Sequence, residues 1–241
     1  MLYFKGCVVR EKLSKISDST EEILKTAGVK YTTLNYENCC GSFLKRTGFK
    51  EEAEEVMRNN LDDLLKSGEK KILVSCAGCY NTLKNDYKEL FGVELDVIHT
   101  SEFIRNLIKN GSLKINKTNK KVTYHDPCHL GRHSGIYDEP REVIKSSCEL
   151  VEMERNRDRS RCCGAGAGVK SAFPELALEA GTRRINDANN IEAEILATTC
   201  SFCILNLNDA LENINKKNSN DERSKLKVMD LTELILIGLE K

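Results

Sequence analysis

The sequence predicts an α/β protein made of two similar halves, each a small parallel sheet flanked by helices. Five cysteines in the order Cys, Cys-Cys-Gly, Cys-x-x-Cys occur twice, and each recurs 121 to 124 residues further along the chain. Short apolar segments typical of strands alternate with amphipathic segments typical of helices, which indicates parallel strands. The cysteines follow predicted strands, at the C-terminal ends where open α/β sheets place their sites.

The repeat also predicts the domain organisation. The chain has 241 residues, and the segment 109–121 between the repeats is rich in Lys, Asn, Ser and Gly, which is typical of a connection. Two halves of about 120 residues each are ordinary domain sizes. We therefore predict one domain at residues 1–116 and a second at residues 117–241, related by pseudo-symmetry.

The elements of the first half can be placed from hydrophobic spacing. The clearest helix, 49–67, carries apolar residues on one face, and Gly28 is predicted to end the helix before it. The first strand ends where Cys7 begins a turn. Strands are predicted at residues 2–9, 29–36, 71–75 and 94–99, and helices at residues 11–27, 49–67 and 81–91.

The second half repeats this order and ends in a strand and a short helix. A polar run at residues 215–224 precedes that last pair. Strands are predicted at residues 122–125, 150–154, 194–198 and 226–229, and the longer helices at residues 140–147 and 173–188.

Composition excludes several classes of protein. The 37 basic and 37 acidic residues balance, so no net charge attracts nucleic acid. No signal peptide is visible, and the apolar run 234–239 is far shorter than the roughly 20 residues of a membrane span. We expect a cytoplasmic protein without a transmembrane segment, in which many cysteines more often bind metal than form disulfides.

The cysteine pattern favours iron–sulfur over zinc. A tetrahedral zinc commonly takes two separated Cys-x-x-Cys pairs, whereas each half here offers five cysteines, two of them adjacent. Glycine after the adjacent pair, at Gly41 and Gly164, lets the backbone approach a bulky inorganic core. A zinc-stabilised scaffold remains the alternative, and Cys148, outside the pattern, is expected as a small buried hydrophobe.

The motifs resemble the cysteine-rich CCG domains of the heterodisulfide reductase B and D subunits of methanogens. The resemblance covers nearly the whole chain and is carried by the cysteine order and by the stretches 124–132 and 162–166. The chain is also similar to iron–sulfur subunits of glycolate oxidase, anaerobic glycerol-3-phosphate dehydrogenase and the lactate-utilisation system, and to thiol:fumarate reductase.

The resemblance implies two tandem CCG domains, each binding one non-cubane [4Fe-4S] cluster through five cysteines. No ferredoxin domain precedes the repeats in the sequence, so a separate ferredoxin-like iron–sulfur subunit is expected as electron donor, together with a flavoprotein subunit. Carried over by position, the ligands are Cys7, Cys39, Cys40, Cys76 and Cys79 for the first cluster and Cys128, Cys162, Cys163, Cys200 and Cys203 for the second.

Two enzymatic functions follow. The first is that of a protein resembling the B-type subunit of heterodisulfide reductase, an oxidoreductase acting on sulfur groups that reduces a disulfide or oxidises two thiols of a small substrate. Two clusters facing one pocket could each supply one of the two electrons. The alternative is an electron-transfer subunit of a 2-hydroxyacid (glycolate or lactate) or glycerol-3-phosphate dehydrogenase complex.

Other residues near the cysteines are candidates for catalysis or substrate binding. His125 and His129 flank Cys128 and could deliver protons to a departing thiolate; the simpler interpretation is that they hydrogen-bond cluster sulfurs or cap a helix. Arginines recur at every second residue from 155 to 161. Arg161, and more weakly Lys170, could bind an anionic group of the substrate, whereas a solvated loop or docking edge is the simpler interpretation.

Overall fold

The computed structural model describes residues 1–217 and 224–240, and its first half is built on a three-stranded parallel sheet. The sheet has the order β1-β2-β3, with Leu2 opposite Ile72 and Ile72 opposite Val97. Its elements are β1 (Leu2–Phe4), α1 (Cys7–Lys12), α2 (Ser14–Thr26), α3 (Ser42–Thr47), α4 (Lys50–Lys66), β2 (Lys71–Val74), α5 (Ala77–Asn81), a π-helical turn (Thr82–Asp86), α6 (Tyr87–Phe91), β3 (Asp96–His99) and α7 (Thr100–Lys109).

The second half contains a four-stranded parallel sheet of order β5-β4-β6-β7. Val122 on β4 lies opposite Ile195 on β6, which lies opposite Lys227 on β7. Its elements are β4 (Lys121–Tyr124), α8 (Asp138–Ser147), β5 (Glu149–Leu150), a 3₁₀ turn (Arg157–Arg159), α9 (Val169–Ala172), α10 (Pro174–Asn189), β6 (Ile195–Thr198), α11 (Ser201–Lys217), β7 (Lys227–Asp230) and α12 (Leu231–Gly238).

The two sheets confirm the predicted α/β class. β1, β2 and β3 lie in the same order and direction as β4, β6 and β7, and the short β5 is an additional edge strand. Parallel strands require crossover connections, and helices supply them on both sheets.

The halves share a hydrophobic core. α12 packs against α2 and α8, and α7 packs against α8. One buried cluster combines Ile23 and Leu107 of the first half with Val122, Ile144 and Ile235 of the second. The boundary between residues 116 and 117 stays a prediction.

Three predicted strands are wrong in extent. The first stops at Phe4, because Gly6 has φ 87° and Cys7 already begins α1. Residues 29–36 form no paired strand; Thr32 makes a single bridge beside β1, through hydrogen bonds with Tyr3 and Met1. β5 is only two residues long, where five were expected.

One predicted helix begins earlier than expected, and the sequence did not predict α7 or α11. The helix expected from residue 81 begins at Ala77. α7 was not predicted, although a capping box of His99 and Glu102 marks its start. α11 extends into the polar run expected at 215–224, of which residues 218–223 lie outside the described residues. Within the described ranges, no helix combines the length and apolar character needed to cross a membrane.

Candidate metal centre

One cavity collects all ten cysteines of the repeat. It encloses about 770 Å³, part of it open to solvent, and residues of both halves line it. All eleven cysteines of the chain are free thiols, and Cys148 lies apart, in the apolar core shared by the halves. The cysteines lining the cavity are Cys7, Cys39, Cys40, Cys76, Cys79, Cys128, Cys162, Cys163, Cys200 and Cys203.

The ends of strands and the starts of helices position these thiols. Cys7 is the first residue of α1, and Cys76 immediately precedes α5. Cys200 follows β6 and immediately precedes α11, and Cys128 follows β4 in a turn. Free backbone N–H groups at a helix start favour the thiolate, which is the form that binds metal.

The two Cys-Cys-Gly turns have the same backbone geometry. Gly41 and Gly164 have φ values of 81° and 93°, and each backbone N–H donates to the first sulfur of its pair, Cys39 at 3.5 Å and Cys162 at 3.3 Å. A Cβ at Gly164 would lie 2.5 Å from the Ala177 carbonyl oxygen. Glycine is therefore required by conformation and by space.

Two buried polar side chains that sequence reasoning missed hold these turns. The Glu37 carboxylate accepts from the N–H groups of Lys5 and Gly6, both at 2.8 Å, and thereby joins the Cys39 loop to the start of α1. Asn206 on α11 donates to the Cys163 carbonyl at 2.6 Å and to the Ala177 carbonyl at 2.7 Å. A polar residue between apolar neighbours in a helical stretch was the available signal for Asn206; Glu37 offered none.

The thiols hydrogen-bond one another, which favours thiolates at particular sulfurs. Hydrogen bonds from Cys40 and Cys7 lower the pKa of Cys39 to about 3. Those from Cys162, Cys203 and His125 lower the pKa of Cys163 well below its ordinary value, in spite of burial. Each half thus contains a thiolate supported by neighbouring donors.

The two halves meet at their Cys-x-x-Cys segments. Hydrogen bonds from Cys200, of the second half, and from Cys79 lower the pKa of Cys76. The Ser201 hydroxyl also donates to Cys76 Sγ, at 3.5 Å. The cysteine groups therefore face each other across one cavity.

The structure separates the two candidate histidines. His129 lines the cavity, and its Nε2 accepts from Arg46 Nε at 3.0 Å, so that Nδ1 carries the hydrogen. Burial, and then the Arg46 charge, lower the pKa of His129. His125 is 1% exposed and lies beneath the second cysteine group, with one ring nitrogen and the sulfurs of Cys163 and Cys203 within 4.8 Å of one another.

The predicted anion-binding residues lie outside the group that lines the cavity. Arg161 pairs with Asp187 at 3.1 Å, and Lys170 pairs with Asp209. The arginines that recur at every second residue from 155 to 161 do not lie on one extended chain, because residues Arg157–Arg159 form a 3₁₀ turn. Among the described residues, the basic side chain lining the cavity is Arg46, which sequence reasoning missed and which also pairs with Asp86 at 2.9 Å.

The donor set fits iron–sulfur chemistry. Each half presents five free thiols, two of them adjacent, and backbone N–H groups already point at sulfur. This exceeds the four ligands of a tetrahedral zinc, whereas thiolates with N–H donors around them are typical of iron–sulfur sites.

Comparison with known proteins identifies the family. The model of the CCG family, described as "Cysteine-rich domain", matches residues 1–84 and 122–208. The chain belongs to the CCG cysteine-rich domain family. Both matched regions contain one copy of the cysteine motif up to its Cys-x-x-Cys segment, so this CCG protein carries the domain twice.

Relatives of this CCG protein are subunits or parts of larger oxidoreductases. The D-type subunit of dihydromethanophenazine:CoB–CoM heterodisulfide reductase from Methanosarcina mazei is 41% identical over 251 residues, covering 100% of this chain and 59% of that protein. The B-type subunit of fumarate reductase (CoM/CoB) from Methanothermobacter marburgensis is 36% identical, covering 97% and 45%. EtfAB:quinone oxidoreductase of Syntrophomonas wolfei is 32% identical, covering 99% and 34%. The chain thus spans about three fifths of the heterodisulfide reductase polypeptide.

Proposed function

We propose that this CCG protein is an iron–sulfur oxidoreductase subunit that reduces a disulfide, or oxidises two thiols, at two non-cubane [4Fe-4S] clusters. The observation that carries this proposal is the convergence of ten free thiols, five from each half, on one cavity. The similarity to the D-type subunit of heterodisulfide reductase supports the substrate class.

The proposed ligands divide by half. The sets are Cys7, Cys39, Cys40, Cys76 and Cys79 for the first cluster and Cys128, Cys162, Cys163, Cys200 and Cys203 for the second. Six of these cysteines are buried, which would shield the clusters from solvent. Cys162 is exposed, so the second cluster would come closest to solvent on its side.

The cavity supplies the other requirements of the reaction. Reduction of a disulfide consumes two electrons and two protons and releases two thiols; the clusters would supply the electrons. Phe43 and Phe202 give the cavity apolar walls, and Arg46 gives it a positive charge. We assign proton delivery to His129, whose Nδ1 carries a hydrogen on the side of Gly78. His125 is less suited to this role because it is buried beneath the thiols.

Electron relay is the second candidate function. It is favoured by the similarity to EtfAB:quinone oxidoreductase. In that case the chain would pass electrons for a flavoprotein, as in a glycolate, lactate or glycerol-3-phosphate dehydrogenase complex, and no disulfide would bind in the cavity.

The partners we propose are a ferredoxin-like iron–sulfur subunit or segment and a flavoprotein. Relatives named as subunits of reductases support a multi-subunit complex. A cytoplasmic location agrees with eleven free thiols, which a reducing compartment preserves.

Anaerobic purification tests the proposal. We expect iron and acid-labile sulfide, an EPR signal on oxidation or reduction, and reduction of a small disulfide by the chain with an artificial electron donor. Cys163→Ala should abolish the disulfide reduction, and Cys148→Ala, outside the cavity, should not. A colourless, iron-free protein would contradict both candidate functions, whereas iron without disulfide reduction would favour relay.

A further inference from the structure

We propose that Arg184, acting through His125, raises the reduction potential of the second thiolate site above that of the first. The two residues are positioning residues of the second half, and neither has an equivalent in the first. This inference rests on the proposed function, because it concerns the clusters which that proposal places at the two sites.

Arg184 is a fully buried cation. It lies on α10 with 0% of its surface exposed, and its carboxylate partner, Asp187, is 3.4 Å away. Its other hydrogen bonds go to neutral acceptors: the Arg155 carbonyl at 2.7 Å, the Ser160 hydroxyl at 3.2 Å, the Tyr124 carbonyl at 3.4 Å and His125 Nδ1 at 3.2 Å. A fully buried charge acts strongly on nearby groups, since the local dielectric constant is low.

The contact with Arg184 fixes the tautomer of His125. A guanidinium can only donate, so Nδ1 of His125 must accept, and the ring hydrogen lies on Nε2. Nε2 is therefore a donor and cannot be a metal ligand, although the ring stands beside the sulfurs of Cys163 and Cys203. Because Nδ1 is engaged by Arg184 and a ring nitrogen of His125 lies within 4.8 Å of Cys163 Sγ, the Nε2–H is left to face this sulfur as its donor.

The first half places neutral residues at the equivalent positions. The offset between Cys7 and Cys128 places Phe4 opposite His125, and the offset between Cys76 and Cys200 places Asn60 opposite Arg184. Packing supports the pairing of Asn60 with Arg184. Gly41 approaches the Ala53 carbonyl of α4 as Gly164 approaches the Ala177 carbonyl of α10, and Ala53 and Ala177 are related by the same offset. Asn60 is also fully buried, but it donates to the Tyr87 hydroxyl and carries no charge.

The halves also differ in a buried negative charge, which lies in the first half. Glu37 in the first half is 8% exposed and lies beside the start of α1 and thus Cys7. The offset of the Cys-Cys-Gly pairs places Ser160 opposite Glu37, and Ser160 is itself a partner of Arg184. The first site therefore has a buried carboxylate nearby, partly balanced by Arg10 at 3.5 Å, where the second has a buried guanidinium.

Both differences act in the same direction. A hydrogen bond to a ligating sulfur and a nearby positive charge stabilise the reduced cluster and raise its potential, and a nearby negative charge lowers it. The Ser201 hydroxyl, which donates to Cys76 Sγ at 3.5 Å, acts in favour of the first site, but a neutral donor is weaker than a buried cation. Electrons entering the protein would therefore collect first at the second site, beside Cys128 and His129.

An EPR-monitored redox titration of the anaerobic chain tests the inference. His125→Phe and Arg184→Asn convert the second site to the residues of the first. Each substitution should lower one of the two midpoint potentials by ~59 mV for one electron. At a fixed solution potential, this shift corresponds to about a tenfold fall in the ratio of reduced to oxidised cluster. Cys162→Ser, which changes a ligand of the second site, should move that same midpoint and so identify it.

Arg183→Gln is the matched control, since it removes a charge from the same helix at a side chain that is 63% exposed; both midpoints should stay in place. The inference is overturned if His125→Phe retains iron and both of its midpoint potentials equal those of the parent. The His125→Phe result alone is sufficient for this conclusion, even if Arg184→Asn fails to fold. A parent chain without iron is a different failure, that of the proposed function.

Discussion

The Ser201 hydroxyl donates a hydrogen bond to Sγ of Cys76 across 3.5 Å, so that a residue within the last Cys-x-x-Cys segment of the second half contacts a thiol of the first. Both residues are buried. The residue equivalent to Ser201 in the first half is Ala77, which has no hydroxyl to return the contact. The two halves therefore contact each other at a cysteine sulfur, and the second half donates a hydrogen bond that the first half does not return.

Replacement of Ser201 by alanine tests this contact. We expect Ser201→Ala to lower the midpoint potential of the first site, because its cluster loses a donor to Cys76. A hydrogen bond of about 1 kcal/mol corresponds to a shift of roughly 40 mV for one electron. Ser112→Ala, at an exposed position, is the control. Movement of the second midpoint alone would show that the hydroxyl serves the other site.

Gly164→Ala should destabilise the protein more than Gly135→Ala. Both glycines have positive φ, 93° and 73°, so each substitution costs about 1–2 kcal/mol in backbone strain. A Cβ at Gly164 also meets the Ala177 carbonyl, whereas one at Gly135 meets nothing within 4 Å. Overpacking adds about 1–3 kcal/mol. Thermal unfolding measures the difference, and iron content should fall only in Gly164→Ala. Equal losses of stability would mean that the close approach has no effect.

Asn206→Ala should weaken the second cysteine pair. The substitution leaves the buried carbonyls of Cys163 and Ala177 without their shared donor, at a cost of about 1–3 kcal/mol. Asn208→Ala, on the same helix, removes a donor to the Ile204 carbonyl only and should cost less. Iron per chain and the thermal midpoint give the comparison. Should Asn208→Ala lose as much iron, the role assigned to Asn206 would be wrong.

The two cysteine groups could be predicted from the sequence because the position of each cysteine depends on the strand next to it in the chain. Cys76 and Cys200 each follow a short apolar strand, and parallel strands end at one edge of a sheet, so the thiols had to gather there. The repeated order of the cysteines then predicted that the two groups would be alike. The same reasoning failed for residues 29–36, where alternation indicated a strand but the neighbouring β1 is only three residues long and allows one bridge.

The residues that support the thiols could not be predicted, since their roles depend on distant neighbours. Arg184 looks like any helical arginine beside Arg183, yet one is fully buried and the other exposed. Arg46 reaches the cavity from α3 and binds a histidine 83 residues away. Arg161 and Lys170 lie close to Cys162 in the sequence, but both form ion pairs with carboxylates of neighbouring helices.

Asp230→Asn should change how stability depends on pH. Asp230 caps α12, where its Oδ1 accepts from the N–H and hydroxyl of Thr232, and its Oδ2 has no partner among the described residues. Burial raises the pKa of Asp230 to about 7. Between pH 4 and 7 the folded chain therefore keeps a proton that the unfolded chain releases, so the contribution of Asp230 to stability falls as pH rises through this window.

Asparagine keeps the cap and does not titrate, so the variant should gain stability over the parent as pH rises, by on the order of 3 kcal/mol from pH 4 to pH 8. Burial lowers the pKa of His99 to about 4, which makes its contribution rise with pH up to about 6.5, in both proteins alike. The difference between variant and parent therefore isolates Asp230. Thermal midpoints at pH 5 and pH 8 measure it, and a constant difference would show that Asp230 is already ionised at pH 5.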